Sequence, residues 1–166
     1  MKKYLLSLCL LAFTFPASAA MSGMKCEWTD EQKIVRSAEY IKDIKVLDGT
    51  DFEKQYPCGG SLMQLAVLRG IPHVVEWTLK YGNADPNMMV SLDGYEIEGA
   101  PNKIPLILFA AYYSPNADTV DVLVKYGAKN RAVDSKGNDI FWYLDQNPVL
   151  RESFITKHGH DYWEIL

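Results

Sequence analysis

Apolar positions along the chain fall into short blocks at helical spacing, separated by turns rich in glycine, proline and asparagine. Ile34, Val35, Ala38, Ile41 and Ile44 recur at three- and four-residue intervals, which predicts a helix from near Thr29 to Asp48-Gly49-Thr50. Thr29 and Gln32 have the spacing at which each side chain satisfies the other's backbone N–H, and Asp30 and Glu31 suit the positive end of the helix dipole. Leu62, Leu65, Ala66 and Leu68 predict a second helix capped by Ser61. Val74, Val75, Trp77 and Leu79 predict its partner, opened by Pro72 where a missing N–H is harmless, and stopped by Gly82. The plan recurs from Pro105 through Leu106, Leu108, Phe109, Ala110 and Ala111. Ser114-Pro115-Asn116 turns the chain into Val120, Val122, Leu123 and Val124, and Gly127 stops it. A weaker copy places one helix at Asp139–Leu144 and another at Pro148–His158.

These blocks repeat as units. Lys80-Tyr81-Gly82 matches Lys125-Tyr126-Gly127 at the same place in each pair. Asp134-Ser135-Lys136-Gly137 has the D-x-x-G pattern of a hairpin turn, and Leu106 lies 35 residues before Phe141 but 43 after Met63. From about Asp48 to Gly159 the chain resembles the ankyrin-repeat family, whose period is about 33 residues. The family's threonine in its T-P-L-H turn is replaced by Ser61 in one copy and Ile104 in another, and its histidine by Gln64, Ile107 and Trp142. The G-A-D-P-N turn gains one residue in Gly82-Asn83-Ala84-Asp85-Pro86-Asn87. The resemblance implies an all-α, ankyrin-repeat-like solenoid of about three helix-turn-helix repeats, with an N-terminal capping helix and hairpin loops. It implies one domain over 21–166, with the cap at 21–47, repeats at 48–159 and a tail at 160–166. A generic helical bundle would also accommodate helix pairs, but not the repeated Lys-Tyr-Gly stop, the D-x-x-G and the Pro-Leu start together.

Repeat stacks bind through hairpin tips and the face made by their first helices. The extra residues fall between copies, from Asn87 to Lys103, and insertions in such stacks often map to the binding face. Met88, Met89, Asp93, Tyr95, Glu96 and Glu98 in this insertion, with Tyr112 and Tyr113 at the end of a first helix, are the candidate partner-binding residues. Methionine and tyrosine supply apolar contact, and the carboxylates supply charge selectivity. Either the insertion is a finger that docks into a partner, or it is a solvated loop or one folded over the repeat face. As a free finger it could be shortened with little effect on melting. Trp142 is expected to pack between repeats, Trp28 and Trp77 in the core or cap, and His73 to face solvent.

The first twenty residues change the compartment. Lys2 and Lys3 precede an apolar run from Tyr4 to Phe15, and Ala17-Ser18-Ala19 is a cleavage pattern, so 1–20 reads as a signal peptide cut after Ala19 or Ala20. The compact leader suggests bacterial export to the periplasm, with no membrane insertion afterwards; an uncleaved anchor is the alternative. Losing the two lysines takes the formal net charge from -4 to -6, a poor balance for binding nucleic acid. Cys9 leaves with the leader, and Cys26 and Cys58 remain as a candidate disulfide in an oxidising compartment, or as two separate thiols. Closing that loop of roughly 30 residues would stabilise by about 3 kcal/mol.

The remaining chemistry is sparse. His158-Gly159-His160-Asp161 is the single cluster with metal-binding residue types, and without a further ligand it reads as a polar terminus rather than a metal site. The nucleophile-elbow, zinc-helix and phosphate-loop patterns do not occur, so neither enzyme activity nor a cofactor is expected. A small exported ankyrin-like protein resembles the immunity proteins paired with secreted antibacterial effectors, such as those of type VI secretion. That resemblance implies a protein partner whose active site is occluded. The alternative is a periplasmic scaffold or stress-protection partner of a resident protein.

Overall fold

A computed structural model describes residues 27–161. Among these, eight α-helices form four successive pairs: α1 (Asp30–Ser37) with α2 (Ile41–Ile44), α3 (Leu62–Arg69) with α4 (Pro72–Lys80), α5 (Leu106–Tyr113) with α6 (Ala117–Lys125), and α7 (Ile140–Leu144) with α8 (Pro148–His158). A 3₁₀ turn, Lys45–Leu47, extends α2. Two short antiparallel hairpins lie between pairs, β1 (Gln55–Tyr56) with β2 (Gly60–Ser61), and β3 (Met89–Ser91) with β4 (Lys103–Pro105). The chain is mostly helical, as the all-α expectation requires.

The helices pack in two rows. The first helices contact one another in the order α1, α3, α5, α7, and the second helices in the order α2, α4, α6, α8, while the members of each pair also touch. The core runs between the rows. Its centre is α5, where every residue from Leu106 to Ala111 is buried. A helix apolar all round needs neighbours on every side, and α3, α6 and α7 supply them. Helices α1 and α6 instead carry a distinct polar side.

Local capping follows the sequence closely. Thr29 and Gln32 make the reciprocal cap of α1, and Ser61 and Gln64 that of α3. Asn116, Asp139 and Asn147 cap α6, α7 and α8 through their side chains. The one long helix expected from Thr29 to Asp48 is divided. Ala38 leaves the helical region at ψ 125°, and the Asp43 carboxylate accepts from the N–H groups of Glu39 and Tyr40 at 3.1 and 2.9 Å. Those bonds begin α2 and turn the expected capping helix into a helix pair like the others.

In the second, third and fourth pairs, one side chain at the start of the second helix donates to a carbonyl of the preceding unit. His73 Nε2 donates to Glu39 O at 2.7 Å, Asn116 Nδ2 to Gly70 O at 2.6 Å, and Asn147 Nδ2 to Tyr112 O and Ser114 O at 2.8 and 3.0 Å. Gly70 is left-handed (φ 61°), and a Cβ there would lie 2.2 Å from Pro115 Cγ, so this close approach requires glycine. Gly82 acts differently from the expected helix stop. The left-handed residue is Asn83 (φ 52°), whereas Gly82 makes room: a Cβ would meet Phe52 Cδ2 and Thr78 O at 2.7 Å. The inserted Asn83 thus takes over the stop and leaves Gly82 a packing role.

Candidate functional site

The residues between the second and third pairs form an ordered, tethered arm. Val90 pairs with Ile104 across the hairpin, and Leu92 N–H extends the ladder to Asn102 O at 2.8 Å. Two turns then shape the tip: Tyr95 N–H closes on Leu92 O at 2.8 Å, and Ala100 N–H on Ile97 O at 3.1 Å. Four apolar residues of the arm face protein: Met88, Val90, Leu92 and Ile97 are buried and belong to the core cluster.

Three tethers hold the tip against the first-helix row. Tyr95 Oη donates to Gly59 O at 2.8 Å, reaching across to the preceding hairpin. Its ring stands edge-on to Phe109 at 5.1 Å and to Tyr113 at 5.4 Å. Burial pushes the Tyr95 hydroxyl up to about 12, so it stays a donor at physiological pH. Tyr113 Oη donates to Glu96 O at 3.0 Å, and burial likewise raises its pKa. From the following turn, Lys136 Nζ donates to Gly99 O at 3.0 Å and Ala100 O at 3.4 Å. Trp142 lies close over Gly99, where a Cβ would come within 3.2 Å of the indole. Gln64 donates to Ser91 O at 2.8 Å and steadies the base.

Of the two alternatives for the insertion, the arm is therefore folded over the first-helix face. Its excision would remove four buried side chains, so shortening it should lower the melting transition rather than leave it unchanged. The candidate residues separate accordingly. Tyr95, Glu96 and Tyr113 are brought together, with Tyr112 stacked edge-on to Tyr113 at 4.7 Å. Glu96 and Glu98 are exposed, and neither joins an ion pair among the described residues. Asp93 accepts from Ser91 Oγ at 2.7 Å. Met88 is 7% exposed at the hairpin base, whereas Met89 beside it is 53% exposed. Gly59, Phe109 and Lys136 also belong to the site, and no local pattern in the sequence ties any of them to the tip.

Inside the arm is a hollow of about 390 Å³, lined by Leu92, Ile97, Ala100 and Pro101 together with Asp93, Tyr95, Glu96, Glu98 and Asn102. Apolar and acidic residues thus share one lining.

A second polar group sits in the other row. Lys157 bridges Asp118 and Asp121 between α6 and α8, and His158 Nε2 is 2.8 Å from Asp121 Oδ2. This fastens the last helix to its neighbour. His160 and Asp161 are exposed beyond it, and among the described residues no group of three or more His, Cys, Asp or Glu could hold a metal ion. No described helix is long and apolar enough to cross a membrane. The signal peptide assigned to 1–20 and one half of the cysteine pair, Cys26, lie outside the described residues; Cys58 is buried.

No family model matches the chain, and no curated protein matches it.

Proposed function

We propose that the protein is a periplasmic, ankyrin-type binding module that neutralises a secreted antibacterial effector as its immunity protein, by occluding the effector's active site. The ankyrin reading is supported by the ordered contacts of the two helix rows, the hairpins between pairs, and the inter-unit bonds from His73, Asn116 and Asn147. The observation that carries the binding reading is the tethered arm. An irregular loop fixed by Tyr95, Tyr113 and Lys136 gives up little conformational entropy on association, while Glu96 and Glu98 stay exposed. A preorganised acidic surface of this kind, seated on the first-helix face, fits docking against a partner. The immunity assignment rests on the resemblance of a small exported ankyrin-like chain to such proteins.

Affinity capture with tagged mature protein, from Met21 onward, tests this reading. The bait meets periplasmic extract and, separately, material secreted by competing sibling cells. Capture of a single antibacterial hydrolase, inhibited on binding, is the expected result. Capture of a resident periplasmic protein alone would replace immunity by the scaffold role, and capture of nothing would count against the module.

A further inference from the structure

The hollow in the arm combines three features in one place. It is lined by the half-buried Ala100 and Pro101, the nearly buried Leu92 and Ile97, Tyr95, and the acidic residues Asp93, Glu96 and Glu98. Lys136, which reaches the same loop, has its ammonium on the carbonyls of Gly99 and Ala100 and enters no ion pair with these carboxylates among the described residues. The arm thus presents negative charge beside apolar surface, on a backbone tethered from three sides.

An arginine side chain has the complementary chemistry. Its methylene stem packs on apolar surface while the head stays polar. Its planar guanidinium pairs with carboxylates in a fork and stacks on aromatic rings, which a lysine ammonium does less well. An anion would be repelled by three carboxylates, and a wholly apolar group would leave them desolvated without partners. We infer that the hollow receives one arginine side chain of the protein partner, as an anchor of the interface. This rests on the binding-module reading above and specifies the chemistry of its contact. Arginine anchors of this kind are among the side chains that carry most of an interface's affinity.

The test separates the two ideas. Isotope-labelled mature protein is titrated with N-acetyl-arginine methylamide and, in parallel, with the uncharged citrulline counterpart, and amide shifts are followed by NMR. The expected result is saturable shifts confined to 92–102 with the arginine probe. The citrulline probe and a Glu96→Gln/Glu98→Gln variant should each bind about tenfold more weakly or worse, because the charge-assisted bonds are lost. The variant keeps side-chain shape, and Tyr95 and Tyr113 shifts matching the parent's would show that the arm is still seated. Equal shifts from both probes, shifts scattered over the surface, or none up to the solubility limit of the probe would overturn the arginine site. Partner capture is measured on the same variant. Undiminished capture would also overturn the arginine site while leaving the module intact. Capture by neither parent nor variant would tell against the module, with the titration still deciding the hollow.

Discussion

Asp134 illustrates how one buried carboxylate organises a turn. Burial would raise its pKa, but hydrogen bonds from Tyr143 Oη, from the Asn138 backbone and side chain, and from the Lys136 N–H outweigh that and hold it below its ordinary value of 3.8. A carboxylate depressed in the folded state stabilises the fold above the ordinary carboxylate range, and that stability is lost as pH falls through the lowered value. Tyr143→Phe removes a 2.7 Å bond to the carboxylate, and should cost about 1.5–3 kcal/mol near neutral pH, a difference that narrows as pH falls through the parent's lowered value. Denaturant melts of parent and variant across the acid range check this; superimposable curves would count against it. The cysteines give a second test at this scale. A Cys26–Cys58 bond predicts an intact mass two hydrogens below the reduced form, and labelling of both as free thiols would contradict it. Cys58 is only 7% exposed, so labelling must be done on the unfolded chain.

Among elements, the helix boundaries were the most legible feature of the chain, because capping is local. Thr29, Ser61, Pro72 and Pro148 stand in sequence where the helix starts occur in space. The division of the first helix was not legible, because Ala38 and Ile41 keep the helical spacing across the break. Only the Asp43 carboxylate, turning back on Glu39 and Tyr40, separates α1 from α2. The arm was legible as an insertion and as a collection of contact-prone residues. Its seating was not, since Tyr95 finds Gly59, Tyr113 finds Glu96 and Lys136 finds Gly99 across 36, 17 and 37 residues. His73 faces solvent as its position beside Pro72 suggests, and its exposed ring nevertheless donates to the unit before it. Two predictions belong here. Asn116→Ala removes both the cap of α6 and the bond to Gly70 O, and should cost about 1–2 kcal/mol in a denaturant melt; a loss within error would mean the inter-unit bond adds nothing. Replacing 93–101 by a two-residue turn removes buried Ile97 and the Tyr95 tether, and should lower stability by about 2–5 kcal/mol, whereas an unchanged melt would show that the arm is not seated.

At the scale of the whole molecule, the two helix rows leave two different surfaces. The second-helix row is laced by Lys125 with Glu76 and by Lys157 with Asp118 and Asp121, exposed pairs that fasten neighbouring helices and individually stabilise little. The first-helix row is crossed by the arm, with Tyr112, Tyr113 and Trp142 half-buried along it. On the proposed function, the partner docks on the arm side. The most direct measurement is amide hydrogen exchange of the mature protein, alone and with the captured partner bound. Docking on the arm side should add protection at 92–102 and at the α5 end around Tyr112 and Tyr113, with α4, α6 and α8 exchanging as before. Protection confined to α4, α6 and α8, with the arm unchanged, would contradict it.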